Sequence, residues 1–235
     1  MKSFLPLLLA AICAPAVFAA DDPSGHWEAT IKVPKGPSKL TLDMARDDKG
    51  FWTASLGVPE NHATGLVVNN IKMEGNRMAF DSPDLPGDPA FDLTLRSGKL
   101  IGTLFLHGNP LPLEMTRTGD AKVELVPPSP SVSKDLAGDW EGALNFPNGD
   151  SRPIIFHFKN NLDSNTVTAT LDSPAQTAFN LSLAGVVENA NQVEFHVRIH
   201  GGSFKGTLDP EKNTLVGEWI QKPGEAPVPC KMRKN

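Results

Sequence analysis

Through most of the chain, apolar residues recur at every second position. Trp27, Ala29, Ile31 and Val33 alternate with His26, Glu28, Thr30 and Lys32. Leu40, Leu42 and Met44 do the same with Thr41 and Asp43, as do Trp52, Ala54, Leu56 and Val58, and Phe91, Leu93 and Leu95. Later, Val167, Ala169 and Leu171 face Thr166, Thr168 and Thr170, while Phe195, Val197 and Ile199 alternate with Glu194, His196, Arg198 and His200. A period of two puts one face of each strand on a core and the other in water, as in antiparallel sheets. No segment carries the 3.6-residue period of an amphipathic helix. Asp48–Gly50 and Ser97–Lys99 read as turns between strands.

The pattern is written twice. Gly25-His26-Trp27-Glu28 recurs as Gly138-Asp139-Trp140-Glu141 at an offset of 113. Leu56-x-x-Pro59-x-Asn61 recurs as Leu171-x-x-Pro174-x-Gln176 at an offset of 115. Gly102-Thr103-Leu104 answers to Gly217-Glu218-Trp219, and Pro112-Leu113-Glu114-Met115 to Pro229-Cys230-Lys231-Met232. The segment Asp84–Pro89 has no counterpart in the second copy. Each copy of roughly 95 residues holds about eight strands with short sequential connections, which favours an up-and-down meander closed into a small barrel without free edges. The expected fold is all-β: two tandem antiparallel barrels, calycin-like in plan, with β-sandwiches as the alternative. Repeat 1 spans 22–118 and repeat 2 spans 135–235. The Pro-rich linker 119–134, around Val126–Ser131, is expected to be extended and stiff.

Residues 1–19 read as a secretory signal peptide: Lys2, a short apolar run from Phe4 to Ile12, and Val17 and Ala19 at the −3 and −1 positions. The run is about half the length of a membrane span. The mature protein is therefore expected in the bacterial periplasm or outside the cell. Cleavage removes Cys13 and leaves Cys230, whose register at the place of Leu113 assigns it to the core rather than to nucleophilic chemistry. Gly (20) and Pro (21) exceed ordinary usage, as short strands and many turns require. The net charge of −5 argues against a nucleic-acid partner.

Catalytic patterns do not assemble. Gly201–Lys205 starts like a nucleophile elbow but ends in Lys205 and lacks the following helix. Ser131-x-x-Lys134 falls in the linker, where no helix holds the Lys against the Ser. His196 and His200 on one strand would lie about 13 Å apart, too far for one metal ion, and Arg198 between them reads as part of a solvated basic face. Asp81, Asp84 and Asp88, like Asp43, Asp47 and Asp48, lack the ligand spacing of a calcium loop. No catalytic residue, metal or cofactor is expected, and the protein reads as a non-enzyme. The candidate ligand-binding residues are the inward-facing Trp27, Trp52, Trp140 and Trp219, with Asn61, Gln176 and Gln221 near strand ends, where turn capping is the competing role.

Gly138-x-Trp140-x-Gly142, Leu171–Gln176, Gly217-x-Trp219-x-Gln221 and Pro229-x-x-Met232-Arg233 together resemble the β-rich accessory domain of secreted bacterial serine hydrolases of the α/β-hydrolase and β-lactamase-like types. The first copy departs from it at Ala29, at Gly57–Asn61 and at Leu104-x-Leu106. The resemblance implies an exported, non-catalytic β domain, here in two copies. The expected function is an exported binding or interaction module whose partner is a small apolar ligand or an envelope protein. A calycin-like carrier of one small apolar molecule is the alternative, and a hydrolase with an unrecognised site the third reading.

Overall fold

The alternating segments do form strands, and the turns between them bring each strand back antiparallel to the last. The computed structural model describes residues 22–33, 36–87 and 89–235, so the signal-peptide segment 1–19 and Asp88 lie outside the described residues. The first sheet comprises β1 (Gly25–Val33), β2 (Gly36–Arg46), β3 (Trp52–Val58), β4 (Ala63–Val67), β5 (Asn69–Glu74), β6 (Arg77–Asp81), β7 (Ala90–Arg96), β8 (Lys99–Leu106) and β9 (Asn109–Gly119). The second comprises β10 (Gly138–Asn145), β11 (Ser151–Asn161), β12 (Thr166–Ser173), β13 (Ala178–Asn189), β14 (Gln192–Val197), β15 (Ser203–Asp209), β16 (Thr214–Ile220) and β17 (Val228–Lys234).

The second sheet is a closed eight-stranded barrel, β17 pairing back onto β10. The first runs from β4 through β1 and β9 to β5, and its two end strands are consecutive in the chain, joined through Val68. It is the same barrel with a seam where the second has the single bent strand β13. The bend has one cause in both copies. Gly65 (φ 63°) and Asn180 (φ 55°) occupy matched left-handed positions, and so do Asn70 (φ 54°) and Gly185 (φ 59°). Gly and Asn tolerate that region best, so the copies exchange the two residues and keep the bulges.

The apolar faces turn inward as the pattern requires. Cys230 lies opposite Gly217 as Leu113 lies opposite Gly102, and burial pushes its thiol pKa up to about 12. Such a thiol remains protonated and inert.

The linker does not hang free. The backbone N–H of Lys122 donates to Asp43 (2.7 Å) and that of Glu124 to Ser55 Oγ (3.0 Å), holding its first half on barrel 1. Ser129 Oγ accepts from Val186 N–H (2.9 Å) and Asn160 brackets Val132, holding the second half on barrel 2.

Where the barrels meet, one expectation is corrected. The alternation carried a strand through His200 with Arg198 on a wet face, but β14 ends at Val197 and Arg198–Gly202 turn back toward β15. The N–H of Gly201 donates to the Val197 carbonyl (2.9 Å), and the chain reverses there. Arg198 is thereby half-buried against the first barrel, its Nε 3.6 Å from Oδ2 of the buried Asp84. Asp84 belongs to the β6–β7 loop, which occupies in the first copy the place of the Arg198–Gly202 turn in the second. Among the described residues, no helix is long and apolar enough to cross a membrane.

Candidate functional site

The four tryptophans sit inside or at the ends of the barrels, and the indole N–H groups of three of them, Trp27, Trp140 and Trp219, are engaged. Trp27 and Trp140 are fully buried, and their indole N–H groups donate to the carbonyls of Pro23 (2.9 Å) and Leu136 (2.7 Å), matched residues of the two copies. Arg117 covers one face of Trp27 and Lys234 one face of Trp140, with charge-to-ring distances of 4.6 and 5.7 Å. Arg46 stacks over Trp52 at 4.2 Å. Trp219 is buried and its N–H donates to Gln221 Oε1 (3.3 Å). Gln176 accepts from the Ser173 hydroxyl (3.2 Å) beside its single-turn 3-10 helix. In this conformation these six residues contact protein groups, and Trp27, Trp140 and Trp219 are buried in the barrel interiors. The seventh candidate, Asn61, is placed differently.

Asn61 stands at the mouth of barrel 1, on the rim of a cavity of about 300 Å³. Leu40, Val58, Phe91, Leu104 and Leu106 form its floor and walls, Leu85 and Pro86 of the β6–β7 loop form one side, and Ile199 of the second barrel reaches over it. Its polar margin is Ser38, Lys39, Asn61 and His107. Trp27 lies four residues before Ile31 on β1, about 13 Å deeper along the strand, so it does not reach this end.

Comparison of the copies explains the cavity. Phe204 pairs with Trp219 across β15 and β16, and Phe91 with Leu104 across β7 and β8, so Leu104 stands where the second barrel has a tryptophan. In barrel 2, Phe156, Phe158, Phe195, Phe204 and Trp219 fill the interior with ring centroids 4.9 to 6.5 Å apart. At the matched places, barrel 1 has Leu42, Met44, Phe80, Phe91 and Leu104, with one stacked pair, Phe80 and Phe91, at 4.6 Å. Of these, Phe91 and Leu104 line the mouth, and leucine in place of tryptophan leaves it unfilled. Val58 also replaces Ser173, and Leu106 replaces Gln221, so the wall is apolar where barrel 2 is polar.

A second surface, on the outside of barrel 1, carries titratable groups. His26, Asp43 and Ser55 form a cross-strand row on β1, β2 and β3. The His26 imidazole contacts Asp43 at 2.9 Å, and Ser55 Oγ accepts the Glu124 N–H. Asp43 occupies the middle, so serine and histidine lie two strands apart, about 10 Å. That order cannot activate the serine, because a nucleophile must hydrogen-bond directly to its base.

The second barrel exchanges the partners: Asp139 faces His157 where His26 faces Asp43. Burial works to lower the His157 pKa, but Asp139 (2.8 Å) and Asp172 (3.4 Å) outweigh it and the net shift is upward. A raised folded-state pKa contributes stability that is complete below the ordinary histidine value and is lost as pH rises through the folded value. His196 and His200 are shifted downward by burial and act in the opposite sense. The informative quantity is therefore the melting-temperature difference between wild type and His157→Asn, which shrinks as pH rises from about 5.5 to about 8.5. A difference that stays constant or grows would contradict the two-carboxylate environment.

Among the described residues, no group of three or more His, Cys, Asp or Glu side chains could hold a metal ion. Fold and cavity together define an all-β protein of two tandem up-and-down barrels, one filled and one with an apolar mouth. No known family model matches the chain, and no curated protein matches it. Among solved structures, the chain is similar to a protein of unknown function of the DUF3598 family from Nostoc punctiforme, at 12% identity over 91% of this chain and 96% of that chain, with a TM-score of 0.26. At that TM-score the likeness carries no argument about this protein.

Proposed function

We propose that this protein is an exported, non-catalytic binding module, and that it holds one small apolar molecule in the mouth of its first barrel. The observation that carries this reading is the exchange of Trp219 for Leu104 at matched positions, which hollows one barrel and leaves the other packed. A volume of about 300 Å³ is at the lower limit of ligand pockets. It accommodates about ten non-hydrogen atoms, taking ~30 Å³ for each as for a water molecule in the liquid. The signal-peptide pattern supports export, and the separation of Ser55 from His26 supports a non-catalytic role. The hydrolase-accessory resemblance fits the same reading, with the barrels serving a partner enzyme that carries the chemistry.

Calorimetric titration of the mature protein with medium-chain amphiphiles tests this. One molecule binds the wild type with a negative heat-capacity change, the mark of apolar burial. Leu104→Trp, which copies the second barrel, abolishes binding while retaining the fold. Binding that survives Leu104→Trp would remove the site from the mouth of barrel 1.

A further inference from the structure

The matched mouths of the two barrels differ in one further respect. In barrel 2, the Gln176 carboxamide is engaged by Ser173 and that of Gln221 by Trp219. In barrel 1, Val58 stands at the place of Ser173 and Leu106 at the place of Gln221, so Asn61 has lost the neighbour that occupies its counterpart. Among the described residues, no side-chain hydrogen bond engages the Asn61 carboxamide or the Ser38 hydroxyl, and both border the apolar cavity. Among the described lining residues Lys39, beside His107, is the one lysine or arginine, and its Nζ lies 2.8 Å from Glu28 Oε2. The Lys39 backbone N–H donates to Glu60 Oε1 (3.0 Å), which places a second carboxylate beside the same rim.

From this juxtaposition we infer that the ligand is a neutral amphiphile: an apolar chain of medium length with one uncharged hydrogen-bonding head, such as an alcohol, ester or amide, read by Asn61. The inference rests on the proposed mouth site and specifies its chemistry. A carboxamide offers both donors and an acceptor and suits a neutral head in either role. An anionic head would have to take Lys39 from Glu28. It would also give up its own hydration for a rim whose one described lysine is already paired. A cationic head would give up its own hydration for a wall whose described lining holds no carboxylate. Asn61 would thus select the head group, while Leu104 sets the room for the chain.

The test compares 1-octanol with octanoate on the mature protein near pH 7, by calorimetry, with wild type, Asn61→Leu and Asn61→Asp. Octanol is expected to bind at least about ten-fold more tightly than octanoate. Asn61→Leu should weaken octanol about five-fold, the worth of one neutral hydrogen bond, and leave the melting temperature unchanged. Asn61→Asp should retain octanol binding better than Asn61→Leu and exclude octanoate further, a pattern that a purely packing role of Asn61 would not produce. Octanoate binding as tightly as octanol, or octanol binding indifferent to Asn61→Leu, would overturn the head-group assignment while leaving the mouth site standing. If neither compound binds the wild type, both the site and its chemistry fall.

Discussion

Gly217→Ala is expected to destabilise the second barrel by about 3 kcal/mol or more, the upper range for overpacking a close-packed interior. A Cβ at this position would lie 2.2 Å from the Lys205 carbonyl oxygen and 2.5 Å from the Gly206 Cα. Both are backbone atoms of the neighbouring strand, so no side-chain rotation relieves the collision. Gly217 pairs with Gly206 on one side and Cys230 on the other, and the bare backbone lets β15 and β16 coil tightly around the core. Gly102 repeats the device in barrel 1, where a Cβ would lie 2.0 Å from the Asp92 carbonyl oxygen. Urea unfolding monitored by tryptophan emission measures the effect, since Trp140 and Trp219 report on the second barrel. Glu218→Ala, one residue away on the wet face, is the control and should cost less than about 0.5 kcal/mol. A Gly217→Ala midpoint equal to that of the control would show that the strands are farther apart than this.

That glycine was visible in the sequence because it recurs, at an offset of 115, within an otherwise alternating strand. The barrel walls were visible for the same reason: burial on one face imposes a period of two whatever the residue identities. The seam of barrel 1 was not, because the exchange of Gly65 for Asn180 and of Asn70 for Gly185 preserves a backbone conformation rather than a letter. The site was less legible still. Leu104 and Trp219 are both apolar and both fit the alternation, so periodicity does not distinguish a filled barrel from a hollow one. Tryptophans drew attention because they are large and few, yet it is their bulk that closes the interior. Asn61 shared a motif position with Gln176, and the difference between them comes from Val58 and Ser173, which a motif with free positions ignores. Arg198 was misread because the apolar period continues through Ile199, although that side chain is buried by the other barrel rather than by its own.

The same long-range contact sets the second large effect. Asp84→Ala should cost about 3 kcal/mol, because removing one member of a buried ion pair strands the other. The Asp84 carboxylate is 4% exposed and Arg198 12%, and the carboxylate also accepts the Val67 N–H at 2.7 Å. Alanine would leave that N–H without its acceptor and the guanidinium without its counter-charge. Arg198 has no other recourse, since its Nη1 is already buried without a partner. Replacing both residues, Asp84→Ala with Arg198→Met, should recover much of the loss, because an apolar pair needs no mutual compensation. The double-mutant cycle by thermal unfolding reads this directly, and a double variant no more stable than Asp84→Ala alone would sink the pairing. Asp84 and Arg198 sit in loops at the same place in the two barrels, between β6 and β7 and between β14 and β15, the first of which is longer. Leu85 and Pro86 follow Asp84 in the chain, and Ile199 follows Arg198, and all three line the cavity. The ion pair therefore fixes the walls of the mouth, and octanol affinity should fall in Asp84→Ala and return in the double variant together with stability.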